Sequence, residues 1–297
     1  MVFSPMVDML AAGNRCMVKT SEFNPLTAEL IKELVAKTFD DDEVVVVTGG
    51  PDVGAAFSSL AFDHLLFTGA TSIGRLVMRS AAENLTPVTL ELGGKSPVFV
   101  GAEADIATTA FKIINGKSMN CGQICISPDY VFVPEQKVEQ FIEQCTATYN
   151  SLFPNPTKNV DYNAMINERH FDRINGYINE AKAKGARVIN LDKSGAEWNS
   201  TDQKIPLHIV VDPSEELSIS QEEIFGPIMI VRSYTDLDQS IAYVNARPRP
   251  LALYYFGKDN AEEQKVISNT ISGGVCVNNV MMHFNCDDAP FGGVGDK

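Results

Sequence analysis

The sequence predicts an α/β fold, a parallel sheet covered by helices. Three observations predict it. Short β-branched runs alternate with segments of helical apolar spacing. Glycine-rich breaks separate them, at Gly49-Gly50-Pro51 and at Gly69. The 297 residues are 44% apolar and 21% charged, the balance of a globular chain that can bury a sizeable core. At roughly 100–200 residues per domain, that length suits two domains or one large one.

The elements follow in order. The opening residues read as a core-facing helix. Asp8 interrupts their apolar run and no basic segment leads it, which speaks against a signal peptide. Arg15–Lys19 is strand-like. Leu26, Leu30, Ile31, Leu34, Val35 and Phe39 keep helical spacing and predict a helix over Leu26–Phe39. Val44–Thr48 is a buried strand and Val53–Leu60 a short helix. His64–Thr68 is a strand, followed after Gly69 by a helix to about Glu83, and Pro87–Leu90 is a further strand. The joint Leu92-Gly93-Gly94 is the natural domain break. Beyond it, helices are predicted at Asp105–Lys117, Lys137–Phe153, Glu168–Gly185, Asp236–Asn245 and Asn260–Asn269. Strands are predicted at Tyr130–Val133, Ala186–Asn190, His208–Val211, Pro227–Tyr234, Leu251–Phe256 and Gly274–Asn278, with a polar loop over Leu191–Asp202.

Composition excludes several function classes. Acidic residues outnumber basic ones 38 to 24, a net charge of −14, and such a field repels phosphate backbones; no nucleic-acid partner is expected. No apolar run approaches the roughly 20 residues of a membrane span, so no membrane partner is expected either. Six cysteines in 297 residues form no dense disulfide framework, and no CxxC pair suggests zinc. A reducing, cytoplasmic setting and no metal are the expectations.

Several segments could carry chemistry. At Phe67-Thr68-Gly69-Ala70-Thr71-Ser72-Ile73-Gly74 a strand ends, glycine turns the chain, and the first amides of a helix could face a phosphate. The Gly69-x4-Gly74 spacing is P-loop-like, but Arg75-Leu76 replaces the lysine and hydroxyl that a P-loop needs. A plain βα turn is the rival reading. Lys19 and Glu22 follow a strand-like segment, where a carboxylate can hold ribose hydroxyls; two solvated charges are the alternative. Cys125, in Asn120-Cys121-Gly122-Gln123-Ile124-Cys125, sits among glycine and amides between a helix and a strand. It is a candidate nucleophile or else a packed thiol. Glu91, at a strand end beside two glycines, could be a general base or a surface carboxylate. Glu223 and Phe225, in Gln221-Glu222-Glu223-Ile224-Phe225-Gly226-Pro227, precede a strand and could equally be an acidic turn.

The ordered set of motifs carries more than any member. Val18-Lys19-Thr20-Ser21-Glu22, Phe67-Thr68-Gly69, Glu91-Leu92-Gly93-Gly94-Lys95-Ser96-Pro97, Gly122-Gln123-Ile124-Cys125, Glu222-Glu223-Ile224-Phe225-Gly226-Pro227 and Pro290-Phe291-Gly292-Gly293-Val294-Gly295 together resemble the aldehyde dehydrogenase superfamily. Asn120–Tyr130 and Gly273–Phe284 look most like the branch holding coniferyl aldehyde dehydrogenases and class-3-like enzymes. The resemblance spans essentially the whole chain. It implies a partial Rossmann-type NAD-binding domain over 1–92, an α/β catalytic cysteine domain over 93–280, and a tail, 281–297, returning toward the first domain.

It also implies roles. Cys125 would be the nucleophile and Glu91 the base that activates water. Lys19 and Glu22 would hold the adenosine ribose, and Thr68, Gly69, Gly74 and Leu92 would line the cofactor site. Glu223 would hold the nicotinamide ribose, with Phe225 packed at that end. The implied cofactor is NAD, with NADP as the alternative. The implied partners are a small-molecule aldehyde and, where both ends are present, a homo-oligomer. Ala70 stands where many relatives have serine. The chain lacks the Pro-Trp-Asn segment that supplies an oxyanion donor, and it stops before the last helix and oligomerisation strand. The expectation is a family member truncated at both ends. Aldehyde oxidation through a thioester is the leading reading. A catalytically impaired binding or regulatory remnant is the second, and a cysteine hydrolase the third.

Overall fold

The computed structural model describes residues 2–286 and 288–295. Met1, Asp287, Asp296 and Lys297 lie outside the described residues, so the expected opening helix and the 281–297 tail are described only in part. The chain divides into two compact units, Met1–Glu91 and Leu92–Lys297.

The first unit contains α1 (Phe3–Ala11), β1 (Cys16–Lys19), α2 (Pro25–Ala36), β2 (Val44–Val47), α3 (Pro51–Ser58), β3 (Leu65–Gly69), α4 (Thr71–Ala82) and most of β4 (Val88–Leu92). Pro25 and Pro51 open their helices at the first turn, where a missing N–H costs nothing. β1 and β2 pair in parallel, Cys16 opposite Val44, with Met6, Val35 and Val46 packed around them. The expected continuous parallel sheet is not formed among the described residues of this unit. β1–β2 and β3–β4 stand as two separate two-stranded sheets.

The second unit holds β5 (Ser96–Val100), α5 (Ile106–Ser118), β6 (Pro128–Pro134), α6 (Val138–Leu152), α7 (Glu168–Ala183), β7 (Arg187–Asn190), β8 (His208–Val211), α8 (Ser218–Gln221), β9 (Ile228–Tyr234), α9 (Leu237–Asn245), β10 (Ala252–Phe256), α10 (Asn260–Ser268) and β11 (Gly274–Val277). They form one seven-stranded sheet in the order β11-β10-β5-β6-β9-β8-β7. β5, β6 and β10 are buried along their whole length, as expected of central parallel strands with both faces covered.

Two features correct the sequence reading. The sequence reading assigns no element to Ser96–Val100; pairing on both sides, with β6 and β10, makes it the strand β5. The sheet is mixed, since β7 runs antiparallel to β8. The residues between them contain no helix, the usual crossover between parallel strands.

The topology also positions the candidate residues. β5, β6 and β9 are adjacent and parallel. The segments that enter them carry Gly93-Gly94-Lys95, Cys125 and Glu223-Ile224-Phe225 respectively, so all three lie at the same end of the sheet, before the N-termini of these strands. No helix among the described residues is long and apolar enough to cross a membrane.

Candidate active site

In the first unit, Lys19 closes β1 and its Nζ donates to Glu22 Oε2 at 2.9 Å. The two residues read separately from the sequence are therefore one ion pair. Gly69 ends β3, and a Cβ there would come within 2.6 Å of Phe67 Cζ. Thr68 is exposed and Gly74 is buried in α4. Ala70 is the N-cap of the 12-residue α4 and supplies no side-chain cap, leaving that helix end suited to an anion. Glu91 is half-buried near the end of β4, and desolvation raises its carboxyl above the ordinary value, as suits a base.

In the second unit, Cys125 follows three consecutive residues with left-handed backbone, Asn120 (φ 50°), Cys121 (φ 56°) and Gly122 (φ 72°). Such a run is held in place only by its surroundings. Asn120 Nδ2 donates to the Gln123 carbonyl at 3.0 Å. Gln123 Nε2 donates to the carbonyls of Asn120 and Ala164, and its Oε1 accepts from the Ile166 amide at 3.0 Å. Cys125 is half-buried against the core. Cys121 is fully buried, donates weakly to Tyr162 Oη at 3.8 Å, and burial pushes its thiol up to about 12.

The Glu222–Gly226 turn meets this loop directly. A Cβ on Gly122 would overlap the Gly226 carbonyl, and one on Gly93 would fall inside the Glu223 carboxylate. Glycine at these two positions lets the backbones and the carboxylate come together. Phe225 has φ 43°, so the turn too is left-handed. Lys95 Nζ fastens it, donating to Asp129 Oδ1 at 2.6 Å and to the carbonyls of Ile219 and Glu222 at 2.8 Å. Asp129 Oδ2 accepts from the Ile224 amide at 2.9 Å. The Pro290–Gly295 segment docks through glycine as well: a Cβ on Gly273 would strike the Gly293 backbone.

The structure therefore gathers Cys125's loop, Glu223, Phe225 and Gly93 in the second unit, and Lys19 with Glu22 in the first. Leu92 is buried and offers a ligand only its backbone. Sequence reasoning missed Lys95, Asp129, Gln123, Arg173 and Lys117. Asp129, an acid inside the apolar run Pro128–Pro134, was the available signal. Lys95 and Arg173 carry no pattern of their own, because their partners lie many residues away.

An α/β scaffold with a half-buried cysteine beyond a strained turn, braced by a glutamate-bearing turn, makes this loop the candidate active site. The profile of the aldehyde dehydrogenase family matches residues 1–296, and the chain belongs to that family. It is 51% identical over 296 residues to a protein named "Probable coniferyl aldehyde dehydrogenase" from Caulobacter vibrioides, covering 99% of this chain and 61% of the relative. It is 37% identical to "Aldehyde dehydrogenase, dimeric NADP-preferring" of Rattus norvegicus, covering 100% and 64%. The substrate-bound state of Staphylococcus aureus AldH superposes with a TM-score of 0.94 at 36% identity, covering 99% of this chain and 63% of that one. The chain thus spans about three fifths of the length of these relatives.

Proposed function

We propose that this chain carries the cysteine chemistry of an NAD(P)-dependent oxidation of an aldehyde to a carboxylic acid, the aldehyde being aromatic and of coniferyl type. The likeness to the Caulobacter vibrioides protein supports the substrate class. The observation that carries the reading is the contact of the Cys125 loop with the Glu223–Phe225 turn through Gly122 and Gly226.

Aldehyde dehydrogenases bind NAD(P). The residues present fit such a group. The Lys19–Glu22 pair stands at a strand end, the α4 terminus has no side-chain cap, and the Glu223 carboxylate rests on Gly93. Lys19 and Glu22 would hold the adenosine ribose, Thr68, Gly69 and Gly74 the pyrophosphate turn, and Leu92, Glu223 and Phe225 the nicotinamide end. When bound, the cofactor supplies the hydride acceptor.

Cys125 Sγ bonds to the aldehyde carbon, and the carbonyl oxygen takes up a proton to give a thiohemiacetal. This adduct is a far better hydride donor than the free aldehyde. The Cys125 backbone amide would donate to the oxyanion. Loss of a hydride and a proton leaves a thioester on Cys125. Glu91 then takes a proton from water, whose oxygen bonds to the acyl carbon; the C–S bond breaks, releasing the acid and restoring the thiol.

All six cysteines are free thiols, which supports a reducing compartment such as the cytoplasm. The test is mass spectrometry of the chain after coniferaldehyde and NAD. An acyl adduct on Cys125 is expected; an adduct confined to other residues overturns the reading.

A further inference from the structure

We infer that Arg173 is a positioning residue, a guanidinium clamp that holds the Glu223–Phe225 turn in the shape that presents Glu223 to the cofactor. The inference rests on the cofactor role proposed above for Glu223. Three successive carbonyls, those of Glu223, Ile224 and Phe225, converge on this one side chain. Nη1 donates to Ile224 O at 2.9 Å and, at the longer distance of 3.5 Å, to Glu223 O; Nη2 donates to Phe225 O at 3.2 Å. Such convergence follows from the left-handed Phe225 (φ 43°), which takes the segment out of any strand ladder.

The clamp is built from one face of α7. Tyr177, one turn beyond Arg173, accepts from Arg173 Nη1 at 3.2 Å and donates to Glu222 Oε2 at 2.6 Å. Desolvation leads in pushing the Tyr177 hydroxyl up to about 12, so it stays a donor at neutral pH. Ile174, the next residue along, fills the space where a Cβ on Gly226 would lie. Lys95 and Asp129 hold other atoms of the same turn, the carbonyl of Glu222 and the amide of Ile224. The planar fork reaches carbonyls of three successive residues from two separate nitrogens, whereas the donors of an ammonium all leave one compact atom. Arg173 touches no atom assigned to substrate or cofactor, so its effect passes through Glu223 and Phe225.

The test uses the full chain with Arg173→Ala, Arg173→Lys, Tyr177→Phe and Glu223→Gln. Two quantities are read: amide hydrogen exchange of the peptide spanning 222–227, and the Kd for NAD. Arg173→Ala should speed exchange and raise Kd at least tenfold, and Arg173→Lys should behave like Ala. Ethylguanidinium at low millimolar concentration should restore both quantities in Arg173→Ala, and ethylammonium should not. Exchange and Kd within twofold of wild type in Arg173→Ala, or full function in Arg173→Lys, would overturn the clamp. Should Arg173→Ala not fold, Tyr177→Phe decides: a rise of a few fold in exchange supports the clamp and no change overturns it. Glu223→Gln separates the two readings. Wild-type NAD affinity in that variant removes the cofactor role of Glu223, while the exchange data still judge Arg173.

Discussion

Gly122 and Gly226 meet backbone to backbone: a Cβ on Gly122 would overlap the Gly226 carbonyl, and Gly122 itself has φ 72°. The cysteine loop and the glutamate turn are therefore seated on each other with no side chain between them. Gly122→Ala should be destabilised twice, by about 1–2 kcal/mol for left-handed backbone and further by displacement of the turn. Urea unfolding should show the loss, and Cys125 alkylation should slow in the same variant. A stability equal to wild type would mean that the two turns separate without cost.

Cys125 and Cys121 should differ sharply as nucleophiles. Cys121 is fully buried and its thiol is pushed up to about 12, whereas Cys125 is half-exposed. Iodoacetamide near neutral pH should label Cys125 and leave Cys121 untouched, with the exposed Cys286 labelling independently. NAD should change the Cys125 rate alone. Peptide mapping that finds Cys121 modified first would exclude Cys125 as the nucleophile.

Glu91→Gln should separate acylation from hydrolysis. The base acts on water, so the thioester should still form on Cys125 while its breakdown slows by about 10²–10⁴. The variant has a second signature. Burial raises the Glu91 carboxyl in the folded chain, so the folded state holds the proton more tightly than the unfolded one. Wild-type stability therefore falls as pH rises from the ordinary carboxylate value through the raised one. Glu91→Gln should lack that fall. Thermal melts at pH 4 and pH 7 check this, and identical pH dependence in both proteins would contradict it.

The Lys19–Glu22 pair should favour NAD over NADP. Glu22 can accept from ribose hydroxyls, and a 2′-phosphate would meet its charge. Lys19 is already paired with it at 2.9 Å, so its attraction for a phosphate is partly spent. Glu22→Gln should weaken NAD and improve NADP relative to it. The ratio of the two Kd values is the measurement. A wild-type preference for NADP of about tenfold, or 1.4 kcal/mol, would show that Lys19 dominates.

Lys117 should destabilise the fold it is buried in. It is 1% exposed, at the end of α5, with Cε against Gly122. Desolvation lowers its amine to about 8, offset by Asp129, Cys121 and Glu223 and reinforced by Lys95. Below pH 8 the folded chain carries an expensive buried charge. Between pH 8 and the ordinary lysine value near 10.4 the unfolded chain binds the proton and the folded one does not, so stability rises with pH. Lys117→Met should gain up to about 3 kcal/mol at pH 7 and little at pH 11. Equal unfolding midpoints at pH 7 would show that the charge is compensated.

Local elements and family membership were legible in the order of the amino acids. Helical spacing placed α2, α5, α6 and α7, and β-branched runs placed β2, β8 and β9, because periodicity is a property of neighbours along the chain. Ordered motifs singled out Cys125, Glu91 and Glu223. Whatever depends on partners far along the chain emerged with folding. Ser96–Val100 becomes a strand through its pairing with β6 and β10, and the antiparallel run of β7 against β8 appears only in the folded sheet. Lys19 and Glu22 become one ion pair only on folding. Arg173 carries no motif, because its carbonyl partners lie about fifty residues away and present backbone alone. A backbone oxygen has no residue identity, so no sequence pattern can announce which side chain will hold it.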